Sequence, residues 1–195
     1  MKRTSIVSSI ACLCVLALAG ACSREPFSPE AQVDSPAPIS SARVDGPAAS
    51  GLAELVPYGR EPWPGIITGG QPSKEDFESL REGGIRTVIN LRVATERGTR
   101  DEPDWMEELG LDYVSIPVHG AAGLSEEVAR ELDRALQSAK RPVLVHCGSS
   151  NRVGAAFALR AFHVEGKSSE NALRIGRSAG LTQLKLEAKV RELLE

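Results

Sequence analysis

The sequence has 195 residues, a formal net charge of −3 and 42% hydrophobic residues. Acidic and basic residues are intermixed and no run of lysine or arginine follows residue 3, which argues against nucleic acid as the main partner. Aromatic residues make up only 4% of the chain, so its core must consist mainly of valine, isoleucine, leucine and alanine.

Residues 1–21 have the pattern of a secretory signal peptide. Lys2 and Arg3 precede an uncharged apolar run over residues 6–21 that is too short for a membrane-spanning helix. The run ends in small residues at Cys22, an arrangement similar to the lipobox of bacterial lipoproteins, in which the cysteine carries lipid. We therefore expect an exported, periplasmic or cell-envelope lipoprotein with a membrane anchor at Cys22. Cleavage without lipidation, which would give a soluble exported protein, is the alternative.

Residues 22–64 follow as a proline-, serine- and alanine-rich tether. This segment holds eight of the twelve prolines and has no clear periodicity, as expected of a flexible linker. Its end, residues 56–64, is a candidate to pack on the domain that follows. The predicted domain covers residues 65–195.

Strands and helices alternate along this domain. The predicted strands cover residues 66–68, 86–91, 111–118 and 143–146. The predicted helices cover residues 74–83, 103–109, 126–139, 153–164, 169–178 and 182–194. Such an alternation predicts an α/β fold with a mostly parallel central sheet flanked by helices on both faces.

A single free thiol is expected in the mature chain. Cys12 and Cys14 leave with the signal peptide and Cys22 would carry lipid, so Cys147 remains alone in an oxidising compartment. A lone exported thiol favours a functional explanation over an inert, buried cysteine.

The residues around Cys147 predict an anion site. A buried strand ends at Cys147, a small polar loop follows, and a helix begins near Arg152. Backbone N–H groups of such a loop form an anion nest at the helix N-terminus, where a thiol ionises more readily and Arg152 can grip two oxygens. Ser149 or Ser150 can donate a hydrogen bond to the sulfur. The predicted phosphate-binding residues are Gly148, Ser149, Ser150, Asn151, Arg152 and Val153.

These residues resemble the signature of the protein tyrosine and dual-specificity phosphatase superfamily. The likeness to a small bacterial branch of that superfamily extends over three further segments, residues 68–73, 86–92 and 113–118. The resemblance implies a cysteine-phosphatase-like three-layer fold with Cys147 as nucleophile and Arg152 as clamp. It also implies hydrolysis of a phosphate monoester, on a protein or a small molecule, through a phosphocysteine intermediate without metal or cofactor.

Two departures from this signature leave other functions open. Four residues separate Cys147 from Arg152 where the superfamily has five, and Val153 replaces its serine or threonine. The shorter loop has the length seen in rhodanese-like sulfurtransferases, so a sulfur or persulfide transferase is one alternative. A non-catalytic anion-binding module is another, because a fold alone does not confer activity.

The general acid is the third departure. Residues 119–124 hold no carboxylate where the superfamily usually has an aspartate, and His119 is the best substitute by position. A surface histidine without a role is the alternative for His119. The weaker acid candidates are Asp101, Glu102, Glu126 and Glu127.

Three further features are expected near the site. The resemblance suggests that His146 shapes the loop through hydrogen bonds, and Arg92 is a candidate for an ion pair near the site. Arg174 and Arg177 are candidates for its border, although a surface role is favoured for both. The spacing of the histidines and cysteines predicts no metal site.

Overall fold

The structure is a computed structural model that describes residues 51–195. Its centre is a five-stranded sheet with the order β1-β2-β5-β3-β4. The strands are β1 (Arg60–Trp63), β2 (Ile66–Gly69), β3 (Thr87–Asn90), β4 (Asp112–Ser115) and β5 (Val143–His146). Strands β2, β5, β3 and β4 run parallel, and β1 pairs antiparallel with β2 at the edge. The predicted α/β fold with a mostly parallel sheet is therefore confirmed.

Six helices flank the sheet, each close to its predicted position. They are α1 (Lys74–Glu82), α2 (Glu102–Leu109), α3 (Glu126–Ser138), α4 (Asn151–His163), α5 (Ser169–Ser178) and α6 (Leu184–Leu193). Ser73 caps α1 in a capping box with Asp76, and Ser125 caps α3. Within residues 51–195 we find no helix with the length and hydropathy needed to cross a bilayer.

Alternate strand residues face two separate cores, because successive side chains of a strand point to opposite faces. On β5, Val143 and Val145 pack into the core beneath α3, α4, α5 and α6, whereas Leu144 packs into the core beneath α1 and α2. The central strands β2, β3 and β5 are buried on both faces. The result is three layers, as the sequence predicts.

The folded domain begins earlier than the sequence indicates. Residues 56–64 are the part of the predicted tether that we expect to pack on the domain, and Val56 is buried against the α1 and α2 core; Leu52, earlier in the predicted tether, is buried there as well. Leu52 belongs to a 3₁₀ helix (Leu52–Leu55), and β1 follows it. Proline content alone could not reveal this, because the segment gains its structure by burying a few apolar side chains and by pairing with β2.

The predicted signal peptide and lipidation site lie outside the described residues. Residues 1–21 and Cys22 are therefore not assessed by the structure, and export and membrane anchoring stay predictions.

Helices α4 and α5 approach each other closely at glycines. A methyl group on Gly154 would lie 2.2 Å from the Leu181 nitrogen and 2.5 Å from the Gly176 oxygen. Both atoms belong to the backbone and cannot turn aside. The glycine that follows Arg152 and Val153 is therefore needed for helix packing.

We expect Gly154→Ala to lower the free energy of unfolding by about 3 kcal/mol through this overpacking. Denaturant unfolding of the purified chain measures the change. Gly166→Ala is the control, because nothing lies within 4 Å of the added methyl group and only the left-handed backbone (φ 67°) opposes it. Gly166→Ala should lower the free energy of unfolding by about 1 kcal/mol. Equal losses in the two variants would contradict the packing argument.

Candidate active site

The candidate site lies at the carboxyl edge of the sheet, immediately after its central strand. His146 ends β5 between Gly69 of β2 and Asn90 of β3, and Cys147 follows, with its N–H donating to the Gly69 carbonyl (3.2 Å). Sites of open α/β sheets form at this edge. Residues 147–152, which we call the cradle loop, connect β5 to the first turn of α4.

A depression of about 680 Å³, the first depression, opens beside the cradle loop. Its lining includes Ser149, Asn151 and Arg152 from the loop, together with Glu96 and His119 from other segments. Cys147 itself is only 1% exposed. The Glu96 hydrogen bond is the main cause that raises the pKa of Arg152, and the proximity of Cys147 contributes. Cys147 packs in the core beneath α3, α4, α5 and α6 and is not among the residues that line the first depression.

Ser150 gives the short loop its turn. It has a left-handed backbone (φ 65°), which is uncommon for a residue other than glycine, and it is fully buried. Its hydroxyl donates to the Ala179 carbonyl (3.3 Å), and a methyl group on Gly180 would lie 2.0 Å from that hydroxyl. The expectation that Ser150 donates to the sulfur is therefore not met, because the hydroxyl is bonded on the other side of the loop. Ser149 lines the first depression.

Asn151 fastens the cradle loop to the segment before α6. Its side-chain oxygen accepts hydrogen bonds from the backbone nitrogens of Thr182 and Gln183, both at 2.8 Å, and its nitrogen donates to the Ser149 carbonyl (3.1 Å). On the opposite side, Gly70 forms an isolated β-bridge with Ser149. Both flanks of the loop are fixed, so its backbone N–H groups keep their direction without a ligand. The Val153 side chain lies in the core, which leaves only its backbone N–H for a phosphate.

Arg152 is held by a carboxylate that the sequence analysis did not identify. Its Nη1 donates to Glu96 Oε1 (2.6 Å) and to the Val118 carbonyl (3.0 Å), and its Nη2 donates to Glu96 Oε2 (2.7 Å). The Glu96 carboxylate thus binds the two terminal nitrogens of the guanidinium, Nη1 and Nη2. The side fork, formed by Nε–H and the second Nη2 hydrogen, donates to no oxygen of residues 51–195. A fork of this kind matches two oxygens of a tetrahedral anion.

Glu96 is itself fixed in the loop after β3. It accepts from the Val93 backbone nitrogen (2.9 Å) and from Arg92 Nε (3.2 Å). The Arg152 hydrogen bond is the main cause that lowers the pKa of Glu96 to about 2. Glu96 therefore stays ionised. The spacing of Arg92 and Glu96, four residues apart in a loop, was a sequence signal for a pair, and the ion pair expected of Arg92 is confirmed.

A series of side-chain hydrogen bonds continues from Arg92 to His146, the residue before the cradle loop. Arg92 also donates to Gln71 Oε1, whose side-chain nitrogen donates to Glu102 Oε2 (2.8 Å). Glu102 and His146 are both fully buried and lie 2.9 Å apart. Burial raises the pKa of Glu102, but the hydrogen bonds from His146 and Gln71 more than offset it and keep that pKa below its ordinary value. His146 thus bonds Glu102 of α2 through Nε2, and within residues 51–195 neither of its ring nitrogens bonds the cradle loop that it was expected to shape.

The candidates for the general acid lie in different parts of the structure. His119 is exposed and lines the first depression with Arg152. Glu102 is wrong as an acid, because it lies buried beneath the loop against His146. Glu126 and Glu127 are paired with Arg130 and Arg134 on the outer face of α3, and Asp101 does not line the depression.

Two other expectations also concern the border of the site. Arg174 bonds Asn171 within α5 and Arg177 pairs with Glu187, so neither borders the depression.

Within residues 51–195, no group of three or more His, Cys, Asp or Glu side chains is placed to hold a metal ion.

We expect Glu96→Gln to destabilise the chain at neutral pH by about 1 kcal/mol, after allowance for solvent screening. The folded-state pKa of Glu96 is depressed from 4.5 to about 2, so its stabilisation is fully present above pH 4.5 and is lost as the pH falls through 2. The difference in unfolding free energy between wild type and variant should therefore be nearly the same at pH 7 and 4.5 and should shrink at pH 3 and again at pH 2. Glu107→Gln, at an exposed residue without an ion pair in the described chain, should give a small and constant difference. A constant difference for Glu96→Gln would contradict the pairing.

Comparisons with known proteins agree with this geometry. A protein from Xylella fastidiosa named beta-lactamase hydrolase-like protein is 33% identical over 98 residues, covering 48% of this chain and 22% of that protein. Dual specificity protein phosphatase 26 from Bos taurus is 33% identical over 92 residues, covering 45% of this chain and 42% of that protein. The chain thus matches less than half the length of these relatives.

The fold is shared with solved structures. A DUF442 protein from Shewanella putrefaciens CN-32 superposes with a TM-score of 0.56 at 23% identity, covering 71% of this chain and 87% of that one. This likeness shows the fold alone. The family model described as "DSP-PTPase phosphatase fused to NAD+ Kinase" matches residues 63–190, a stretch that includes the whole cradle loop and most of the chain. The chain therefore belongs to this family of dual-specificity-phosphatase-like domains.

Proposed function

We propose that this protein is a cysteine-dependent phosphatase that hydrolyses phosphate monoesters through a phosphocysteine intermediate. The observation that carries the proposal is the state of Arg152. Its guanidinium is fixed by Glu96 and Val118, its Nε–H donates to no oxygen of residues 51–195, and Cys147 is near enough to contribute to the raised pKa of the guanidinium. A clamp of this form suits two phosphate oxygens at the point where the thiolate can reach phosphorus.

The proposed reaction has two steps. The Cys147 thiolate attacks phosphorus, the bond from phosphorus to the ester oxygen breaks, and the alcohol leaves with a proton from an acid in the cleft. Water then attacks the phosphocysteine, the sulfur–phosphorus bond breaks, and inorganic phosphate leaves. Charge that develops on the phosphoryl oxygens is stabilised by Arg152 and by the N–H groups in the first turn of α4, which point at the ligand with the positive end of the helix dipole.

We expect the purified chain to release phosphate from 4-nitrophenyl phosphate without added metal and in the presence of a chelator. Cys147→Ser should abolish turnover because the hydroxyl is a far weaker nucleophile, and vanadate should inhibit the wild type. Arg152→Lys should lower kcat/KM by about a hundredfold or more, because an ammonium provides no planar fork. Phosphate release measures all four results.

Arg177→Gln is the matched control, since Arg177 is paired away from the cleft and its loss should leave the rate within about twofold. Turnover that survives in Cys147→Ser would refute the covalent mechanism.

A sulfur transferase is the second candidate function, because the loop from Cys147 to Arg152 is one residue shorter than the phosphatase signature requires. In that reaction the thiolate would attack the outer sulfur of thiosulfate, the sulfur–sulfur bond would break and sulfite would leave, and the persulfide would then pass its outer sulfur to cyanide and restore the thiolate. Thiocyanate formation from thiosulfate and cyanide, with no release of phosphate from aryl phosphates, would favour this candidate.

We further propose His119 as the acid of the first step, since it is the titratable group of the β4–α3 loop that lines the first depression. His119→Gln should reduce kcat for phenyl phosphate by about a hundredfold, because the poor phenolate leaving group needs a proton. For 4-nitrophenyl phosphate, whose leaving group is stable as an anion, the loss should be about threefold or less.

The ratio of the two kcat values, measured in one buffer series, tests the role of His119. A ratio equal to that of the wild type would remove His119 from the mechanism. His163→Gln, on the far end of α4, is the control and should leave both kcat values unchanged.

A further inference from the structure

Gln71 lies between two sets of residues that support the candidate site. It follows β2 at the carboxyl edge of the sheet, and its backbone N–H donates to the Gly148 carbonyl of the cradle loop (3.4 Å). Its side-chain oxygen accepts a hydrogen bond from Arg92. Arg92 in turn holds Glu96, the carboxylate that fixes Arg152. On this side Gln71 supports the clamp.

The nitrogen of the same amide supports the strand that leads to Cys147. It donates to Glu102 Oε2 (2.8 Å), and Glu102 Oε1 lies 2.9 Å from Nε2 of His146 at the end of β5. One side chain therefore connects the cation behind the clamp directly to the anion behind the central strand. The proposed phosphoryl chemistry gives Gln71 no part.

We propose that Gln71 is a positioning residue, whose amide keeps the Arg152 clamp and the end of β5 in one fixed arrangement. The proposal rests on the phosphatase function proposed above and concerns the same site. Gln71 would act through Arg92 and Glu102, without contact to the substrate.

The amide of Gln71 has one favourable orientation. Its nitrogen donates to the Glu102 carboxylate and to the Pro72 carbonyl (3.0 Å), while its oxygen faces the Arg92 guanidinium. Rotation of the amide by half a turn would place its N–H groups against the cation and its oxygen against the anion. The two flanking charges thus hold the amide in place.

The same charges make the loss of the amide costly. Arg92 is 7% exposed and Glu102 is fully buried. A buried charge that loses a partner is left uncompensated. Without the amide, Arg92 and Glu102 would shift toward other partners and would displace Glu96 and His146, the residues that they hold.

The first test replaces Gln71 by methionine, which has a similar size but no amide. Calorimetric titration of the full chain with inorganic phosphate measures binding at the clamp without turnover. We expect Gln71→Met to bind phosphate about tenfold more weakly than the wild type, because Arg92 no longer holds Glu96 and Arg152 in one orientation. The value of kcat/KM for 4-nitrophenyl phosphate should fall by at least the same factor.

Gln137→Met is the matched control. Gln137 also donates from its amide to a carboxylate that is paired with a buried arginine, in this case Asp133 with Arg160, but these residues lie on the α3 and α4 side of the sheet. Its phosphate affinity and kcat/KM should stay within about twofold of the wild type. Thermal unfolding of both variants records any general loss of stability. Equal weakening of phosphate binding in the two variants would overturn the proposal.

An exchange of two side chains is the second test, and it applies even where Gln71→Met does not fold. Gln71→Glu alone places a carboxylate against the carboxylate of Glu102, and like charges in a buried site repel each other. When Glu102→Gln is added, the carboxylate at position 71 can accept from Arg92 and from the amide at position 102. The oxygen of that amide can accept from His146. Each hydrogen bond of the original series then has a counterpart.

We expect Gln71→Glu to weaken phosphate binding by about tenfold or more, and the double variant to recover to within about threefold of the wild type. A double variant that binds phosphate no better than Gln71→Glu would overturn the proposal, as would a wild-type chain that binds no phosphate. Hydrolysis of 4-nitrophenyl phosphate by the wild type is a separate measurement. Its absence would refute the phosphatase function, while the phosphate affinities still decide the role of Gln71.

Discussion

The arrangement of the site depends on one ion pair, between the Arg152 guanidinium and the Glu96 carboxylate. A free arginine side chain would lose about 2 kcal/mol of rotamer entropy when it bound a ligand. Here Glu96 and the Val118 carbonyl already fix the guanidinium, so that entropy is lost on folding and not on binding. A preorganised donor also needs no rearrangement as charge develops on a reacting phosphoryl group. The pair therefore prepares the site for an anion without occupying the fork that would bind it.

This ion pair belongs to a longer network of polar side chains that joins the cradle loop to segments distant in sequence. From Glu96 it passes through Arg92 and Gln71 to Glu102 and His146, so that a carboxylate of α2 contacts the residue before Cys147. Buried charges are tolerated when each has a partner, and removal of one partner leaves the next uncompensated. The position of the cradle loop thus depends on segments more than forty residues away in sequence.

Much of the fold was predictable from sequence, because its signals are local. Periodicity and capping residues such as Ser73 and Ser125 predicted the α-helices, and the buried run before Cys147 predicted the central strand. The site was predictable only where its residues are contiguous, as in the cradle loop. Glu96 was missed because its role arises from a contact with a residue 56 positions later, which no local pattern encodes. The 3₁₀ helix and strand β1 were missed because composition reports mean polarity and not the few side chains that are buried.

That early segment matters for more than the domain boundary. Pro57 accepts the Gly70 N–H, Gly70 bridges to the cradle loop, and Tyr58 and Arg60 line a small depression beside it. The segment that begins the domain thus also helps to fix the cradle loop, through Pro57 and Gly70. The loop from Cys147 to Arg152 presents groups that any phosphate would satisfy, since N–H donors and a guanidinium contact only oxygens. Any preference among phosphate ligands would therefore depend on side chains outside the loop, which the residues contiguous with Cys147 cannot reveal.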